Sequence, residues 1–308
     1  MMKYRKLGST GLLVSEIGLG CEGFAEDECR NTKRLLDEAE SQGINYFDLY
    51  ASDPKVRASV GEALRGRREK FMIQSHVCSV WKDGQYKRTR NIDEVKAGME
   101  EMLSLLQTDY IDVGMIHYVD SVKDWHTVAD GPVLAYVKEL KEKGVIRHIG
   151  LSSHNPEVAL EAVKSGDIEV LMFSVNPCYD LQPASEDVEE LWAEKNYKEH
   201  LINMNPERQE LYETCQRLDI GITVMKAFGG GDLLDEKLSP AGKALTVNQC
   251  IHYALTRPGV STVLAGARSV EQLRQSIAYE AASEEERDYA PAFASFPNIS
   301  WRGHCMYC

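Results

Sequence analysis

The sequence predicts an α/β protein: a single (β/α)8 TIM barrel over residues 1–289 with a short C-terminal extension over 290–308. Three observations lead there. Short apolar or β-branched runs alternate with amphipathic helical stretches along the chain, which implies a parallel sheet with helices outside it. Eight such runs can be counted, at 16–20, 44–48, 71–75, 110–116, 146–151, 170–175, 220–225 and 262–265. Each is followed by a plausible helix, and eight such units favour a closed barrel over an open doubly wound sheet.

Taken in order, residues 3–14 read as a hairpin closing the barrel floor. The clearest helix covers 92–107, where Ile92, Val95, Met99, Met102, Leu103 and Leu106 recur at helical spacing and Asn91 with Glu94 forms a capping pattern. Another covers 130–143. Asn155-Pro156 opens a further helix with a cap and a first-turn proline, and Gly166 stands where it should stop. The polar stretch 182–206, rich in Glu and Asn, reads as a surface excursion near the barrel mouth.

A chain of 308 residues with 43% hydrophobic content can bury a large core. Its net charge of −13 and scattered Lys and Arg exclude a phosphate-neutralising surface, so no nucleic acid partner is expected. The basic start, Met1 to Gly8, has no apolar segment behind it, and no run approaches the roughly 18 apolar residues of a membrane span. The sequence therefore reads as cytoplasmic, without a membrane partner and with its oligomeric state unspecified. Cys21, Cys29, Cys78, Cys178, Cys215 and Cys250 are dispersed and read as buried thiols.

Catalytic groups of such a barrel stand at the C-terminal ends of its strands. Asp48, His76 and His117 fall at three such ends. Each alone would be an ordinary structural residue, but together they converge on one mouth. Near the last strand, Gly266 allows close backbone approach, Ser269 with Gln272 makes a capping pattern at a helix start, and Arg268 adds a forked donor. That combination suits a phosphate.

Several segments then resemble the aldo-keto reductase family in order and spacing: 45–54 with 60–64, 71–76, 109–117, 144–153, and 263–269 with 271–273. The resemblance spans nearly the whole chain and implies a nicotinamide-dependent oxidoreductase acting on a carbonyl or hydroxyl of a small molecule, with a hydroxylated or sugar-like compound as the expected substrate. It also implies that Ser152 and Ser153 hold the nicotinamide amide, that Asn176 and Met225 contact or cover the ring with Lys226 alongside, and that Gly266, Arg268, Ser269 and Gln272 bind phosphates. NADP(H) is the expected cofactor because of Arg268, with NAD(H) as the alternative.

Two exchanges stand out against that family. Asp53 occupies the position of the proton-donating tyrosine, and His76 that of its lysine. An exposed Asp, with an ordinary pKa of about 3.9, is a poor donor at neutral pH, whereas histidine, the residue type at His76 and His117, is the more natural acid there. Tyr50 is a second candidate acid. The expected site is therefore a rewired set of Asp48, Asp53, His76, His117 and Tyr50. A redox-neutral lyase or epimerase, or a cofactor-binding subunit without turnover, are the alternatives. Finally, Cys305-Met306-Tyr307-Cys308 resembles the first half of a ferredoxin-like extension found in some relatives. A 4Fe-4S cluster needs four thiolates, so Cys305 and Cys308 would ligate one only if the natural chain continues past Cys308.

Overall fold

The computed structural model describes residues 1–24, 28–181, 185–187, 204–239 and 243–293. The eight barrel strands are β3 (Ile17–Leu19), β4 (Tyr46–Leu49), β5 (Met72–Val77), β8 (Ile111–Ile116), β9 (Ile146–Ser153), β10 (Val170–Ser174), β11 (Gly221–Met225) and β12 (Val260–Ala265). They pair in parallel in that order, and β12 closes on β3. Each matches a predicted run, as an α/β barrel requires. Below it, β1 (Tyr4–Lys6) and β2 (Leu13–Ser15) form the expected antiparallel hairpin.

Helices α1 (Glu28–Ser41), α2 (Pro54–Ala63), α3 (Ile92–Leu106), α4 (Val122–Ala129), α5 (Pro132–Glu142), α6 (Pro156–Lys164), α7 (Pro206–Arg217), α8 (Val247–Leu255) and α9 (Val270–Ile277) accompany the strands. The predicted helix at 130–143 is α5, and a separate α4 precedes it. Ser121 starts α4 by accepting the Asp124 N–H, and Gly131 with Pro132 resets the chain for α5. A second antiparallel pair was not anticipated: β6 (Ser79–Lys82) and β7 (Gln85–Arg88) turn at Asp83 and Gly84, with φ of 54° and 77°. Two successive left-handed residues match the twist of a tight hairpin. The predicted excursion at 182–206 lies mostly outside the described residues. Of the 290–308 extension, Ala290–Phe293 is a helical turn and the rest lies outside them.

Strand alternation positions the site. Phe47, Leu49 and Ile73 belong to the cluster packed under the helices, whereas Tyr46, Val113, Met115, Met172 and Leu264 fill the barrel with Leu7 and Val14 at the floor. The same parity that sends Tyr46 and Met115 inward sends Asp48, Gln74, His76 and His117 inward. Asp48 and Gln74 are register partners, as are His76 and Met115.

Asp112 pins the register of β5 on β8. Its buried carboxylate accepts the Ile73 N–H at 2.9 Å, Arg68 Nη2 at 2.9 Å and Arg147 Nη1 at 2.9 Å. Asp112→Ala leaves a buried amide and two guanidinium groups without their acceptor, and should lower stability by about 2–3 kcal/mol in urea unfolding. Asp112→Asn keeps an acceptor and should lose less.

Candidate active site

A cavity of about 450 Å3 opens at the C-terminal strand ends, and Asp48, His76 and His117 line it together with Tyr50, Ser152 and Arg268. His76 Nε2 lies 2.9 Å from Asp48 Oδ1, and His76 Nδ1 lies 2.6 Å from His117 Nδ1. The two imidazoles meet edge to face, 77° apart. Beneath them, Gln74 Nε2 donates to Asp48 Oδ1 at 2.6 Å, while its Oε1 accepts the hydroxyls of Tyr46 at 2.7 Å and Thr223 at 3.0 Å. The opposite amide orientation would set Oε1 against the carboxylate. Gln74 thus fixes the direction of the hydrogen bonds above it.

Burial holds the His117 imidazole well below the ordinary histidine range, and the charges of His76, Arg90, His154 and Arg88 push it the same way. His117 is therefore a neutral imidazole. Its Nε2 meets the Tyr86 hydroxyl, 2.8 Å away on β7. A second dyad faces the same cavity: His154 Nδ1 is 2.9 Å from Asp120 Oδ2. Burial would raise the Asp120 carboxyl, but the charge and hydrogen bonds of His154, with the Ser153 hydroxyl, hold it below its usual value. Cys78, Tyr118 and Lys226, each just beyond a barrel strand, carry φ of 74°, 51° and 59°. Such strained non-glycine backbone often marks functional rims.

The predicted residues divide. Asp48, His76, His117, Tyr50, Ser152, Met225, Lys226, Gly266, Arg268 and Gln272 all line the cavity. Asp53 does not: it caps α2, its Oδ1 accepting the Lys55 N–H at 2.8 Å ahead of Pro54 at the first helical position. Ser153 is buried against Asp120, and Asn176 is buried with its side chain bound to the main chain of Lys226, Cys178 and Tyr179. Neither is part of the cavity wall. Ser269 caps α9 by accepting the Gln272 N–H. Gln74, Tyr86, His154 and Glu22 were missed. Inward parity with Asp48 and His76 could have found Gln74, and the Asp83-Gly84 turn pair could have found the hairpin that carries Tyr86.

A dinucleotide fits this wall. Arg268 supplies a cation beside the N-terminus of α9, where its N–H donates to Gln272 Oε1 at 2.8 Å, and Lys226 lines the same cavity. Glu22 lies in the same wall. Burial pushes its carboxyl up, and the charge of Asp48 adds to this against Arg268, so it is biased toward the neutral form that tolerates phosphate. A Cβ at Gly20 would stand 2.4 Å from Glu22 Oε2, so a side chain there would displace the Glu22 carboxyl from its place in the wall. Cys21, Cys78, Cys178, Cys215 and Cys250 are buried and free, whereas Cys305 and Cys308 lie outside the described residues, as does the Cys29 side chain. Among the described residues no cluster of three His, Cys, Asp or Glu could hold a metal, and no helix is long and apolar enough to cross a membrane.

The model of the aldo/keto reductase family matches residues 16–249. The chain belongs to that family. It is 31% identical over 291 residues to the uncharacterised oxidoreductase YqkF of Bacillus subtilis, covering 90% of both chains. It is 26% identical over 299 residues to the L-galactose dehydrogenase of Arabidopsis thaliana, covering 90% of this chain and 88% of that one. The holo form of aldo-keto reductase AKR11C1 from Bacillus halodurans superposes with a TM-score of 0.74 at 25% identity, covering 98% of each. This aldo-keto reductase is thus an oxidoreductase-type enzyme on the closed barrel described above.

Two predictions follow from the geometry. Asp53→Ala removes a helix cap and should cost about 1 kcal/mol in thermal unfolding, while Asp53→Asn, an equally good cap, should cost little. Because His117 binds its proton less readily folded than unfolded, its effect on stability appears as pH falls below about 6.5, where only the unfolded chain takes up that proton. The urea midpoint should therefore drop on acidification toward pH 5, and His117→Asn should drop less.

Proposed function

We propose that this aldo-keto reductase interconverts a carbonyl and a hydroxyl on a small polar substrate with NADP(H), using the Asp48, His76 and His117 series as its acid-base apparatus. The observation that carries this reading is the unbroken contact of that series in the cavity shared with Ser152, Lys226 and Arg268. A hydroxylated or sugar-like substrate is supported by the relative named for L-galactose.

When bound, the reduced nicotinamide supplies a hydride to the carbonyl carbon. Ser152, with Met225 and Lys226, holds the nicotinamide end, and Arg268 with the start of α9 holds the phosphates. The protein's remaining task is the proton. Asp48 steadies His76 through Nε2, and His76 Nδ1 steadies His117, so the carboxylate charge reaches the cavity through two imidazoles. Loss of a positioned acid typically costs about 10² to 10⁴ in rate, and this series replaces the absent tyrosine and lysine.

Assays with NADPH and 4-nitrobenzaldehyde or glyceraldehyde, and with NADP⁺ and free sugars, test the reading through nicotinamide absorbance. His117→Asn should lower kcat by about 10² to 10⁴ while NADPH binding persists. Arg268→Ala should weaken NADP(H) binding more than NAD(H) binding, and equal weakening would remove the case for NADP(H). A second reading, redox-neutral proton transfer, is favoured by the Asp120 and His154 dyad in the same cavity. Substrate conversion with no change in nicotinamide absorbance would select it.

A further inference from the structure

We propose that Asp48, His76, His117 and Tyr86 form one proton wire whose direction reverses when a single proton is added, and that Tyr86 is the catalytic residue handing that proton to the substrate oxygen. The proposal deepens the oxidoreductase reading and rests on it for the identity of the acceptor.

The direction follows from counting hydrogens. Gln74 Nε2 carries only donors, so Asp48 Oδ1 accepts from it at 2.6 Å, and His76 Nε2 donates to the same oxygen at 2.9 Å. If His76 is neutral, its Nδ1 is bare. His117 Nδ1 must then donate across the 2.6 Å contact, leaving its Nε2 bare to accept the Tyr86 hydroxyl at 2.8 Å. Every hydrogen points inward. One added proton belongs on His76, the imidazole with a carboxylate against it. His76 Nδ1 now donates, His117 Nδ1 must accept, and the His117 hydrogen sits on Nε2, facing Tyr86 Oη. From His76 Nδ1 onward every hydrogen now points away from Asp48, and the Tyr86 hydroxyl, accepting from His117 Nε2, turns its own hydrogen away from His117.

The surroundings favour conduction through His117 over storage on it. Burial and the guanidinium groups of Arg88 and Arg90, with His154, all oppose a second proton on His117, and Arg90 is itself paired with Asp124 at 2.6 Å. Glu22 adds a carboxyl near Asp48. Tyr86 is 44% exposed, yet its hairpin is tied to cavity-lining segments: Ser79 Oγ donates to the Tyr50 carbonyl at 3.0 Å and Arg88 Nη1 to the Tyr118 carbonyl at 2.7 Å. His117 stands in the cavity wall with both nitrogens engaged, and the polar group beyond its Nε2 is the Tyr86 hydroxyl, so the proposal carries the wire to a substrate through that hydroxyl.

Atoms and electrons balance. In reduction the carbonyl carbon gains the hydride from the nicotinamide, the C=O π pair moves to oxygen, and that oxygen takes the Tyr86 hydrogen. Tyr86 Oη takes the hydrogen of His117 Nε2, and His117 Nδ1 takes that of His76 Nδ1. One O–H bond forms on the product, His76 loses one proton, and water restores it. Oxidation runs the same steps in reverse.

Two measurements decide the matter. In protein carrying ¹⁵N-labelled histidine, acidification should convert His76 to imidazolium while His117 changes from its Nδ1–H to its Nε2–H tautomer and stays neutral. Protonation of His117 itself, or an unchanged tautomer, overturns the wire whether or not the protein turns over. With NADPH and 4-nitrobenzaldehyde, Tyr86→Phe should lower kcat by about 10² to 10⁴ with KM changed only a few-fold. An unchanged kcat, a rise in kcat as though a lid had been removed, or the same loss in Tyr50→Phe alone would overturn the donor role. A tautomer change without carbonyl turnover in the unmodified protein would keep the wire and reject the oxidoreductase reading.

Discussion

Two imidazole nitrogens 2.6 Å apart can share a hydrogen bond only if one of them is bare, and this constraint between His76 and His117 organises the site. Two imidazolium rings at that distance would repel across a dry contact, so the pair holds at most one extra proton. Asp48 gives that proton a preferred end, and Gln74, braced by Tyr46 and Thr223, keeps the carboxylate facing His76. The site thus combines a fixed negative charge with a mobile hydrogen, where the family pattern uses a lysine beside a tyrosine.

The barrel makes such a contact achievable. His76 stands near the end of β5 and His117 follows β8, two adjacent parallel strands whose inward residues lie side by side. Slippage by one residue would send both rings into the helical layer. The Asp112 carboxylate at the opposite end of these strands opposes that slippage, and the His117 N–H to Val77 carbonyl bond of 3.0 Å does so at the mouth. Arg268 and α9 follow β12, so the cationic part of the cavity wall and the imidazole pair rest on different strands of one sheet.

The fold was legible because alternation and strand parity are carried by many residues at once. Eight runs predicted eight strands, and Asn91, Asn155 and Pro156 start their helices as their capping chemistry dictates. Asp48, His76 and His117 were legible as strand-end residues. Asp53 carries two readings: position in a motif points to catalysis, while Asp-Pro at a helix start is by itself sufficient reason for an aspartate there. Tyr86 was passed over because its partner, His117, is 31 residues away, although Asp83-Gly84 marks the tight turn of the β6 and β7 hairpin that carries it. His154 was passed over beside Ser152 and Ser153, although only its pairing with Asp120 in space gives it chemical meaning.

The claim that reduction draws its proton through a chain of shared hydrogens is tested most directly by a proton inventory of the single-turnover rate. The rate of nicotinamide oxidation with a carbonyl probe would be followed across mixtures of H2O and D2O. A bowed dependence, requiring more than one hydrogen in motion, is the predicted result. A straight line for one transferred proton, or no solvent isotope effect with the chemical step shown to be rate-limiting, would contradict it.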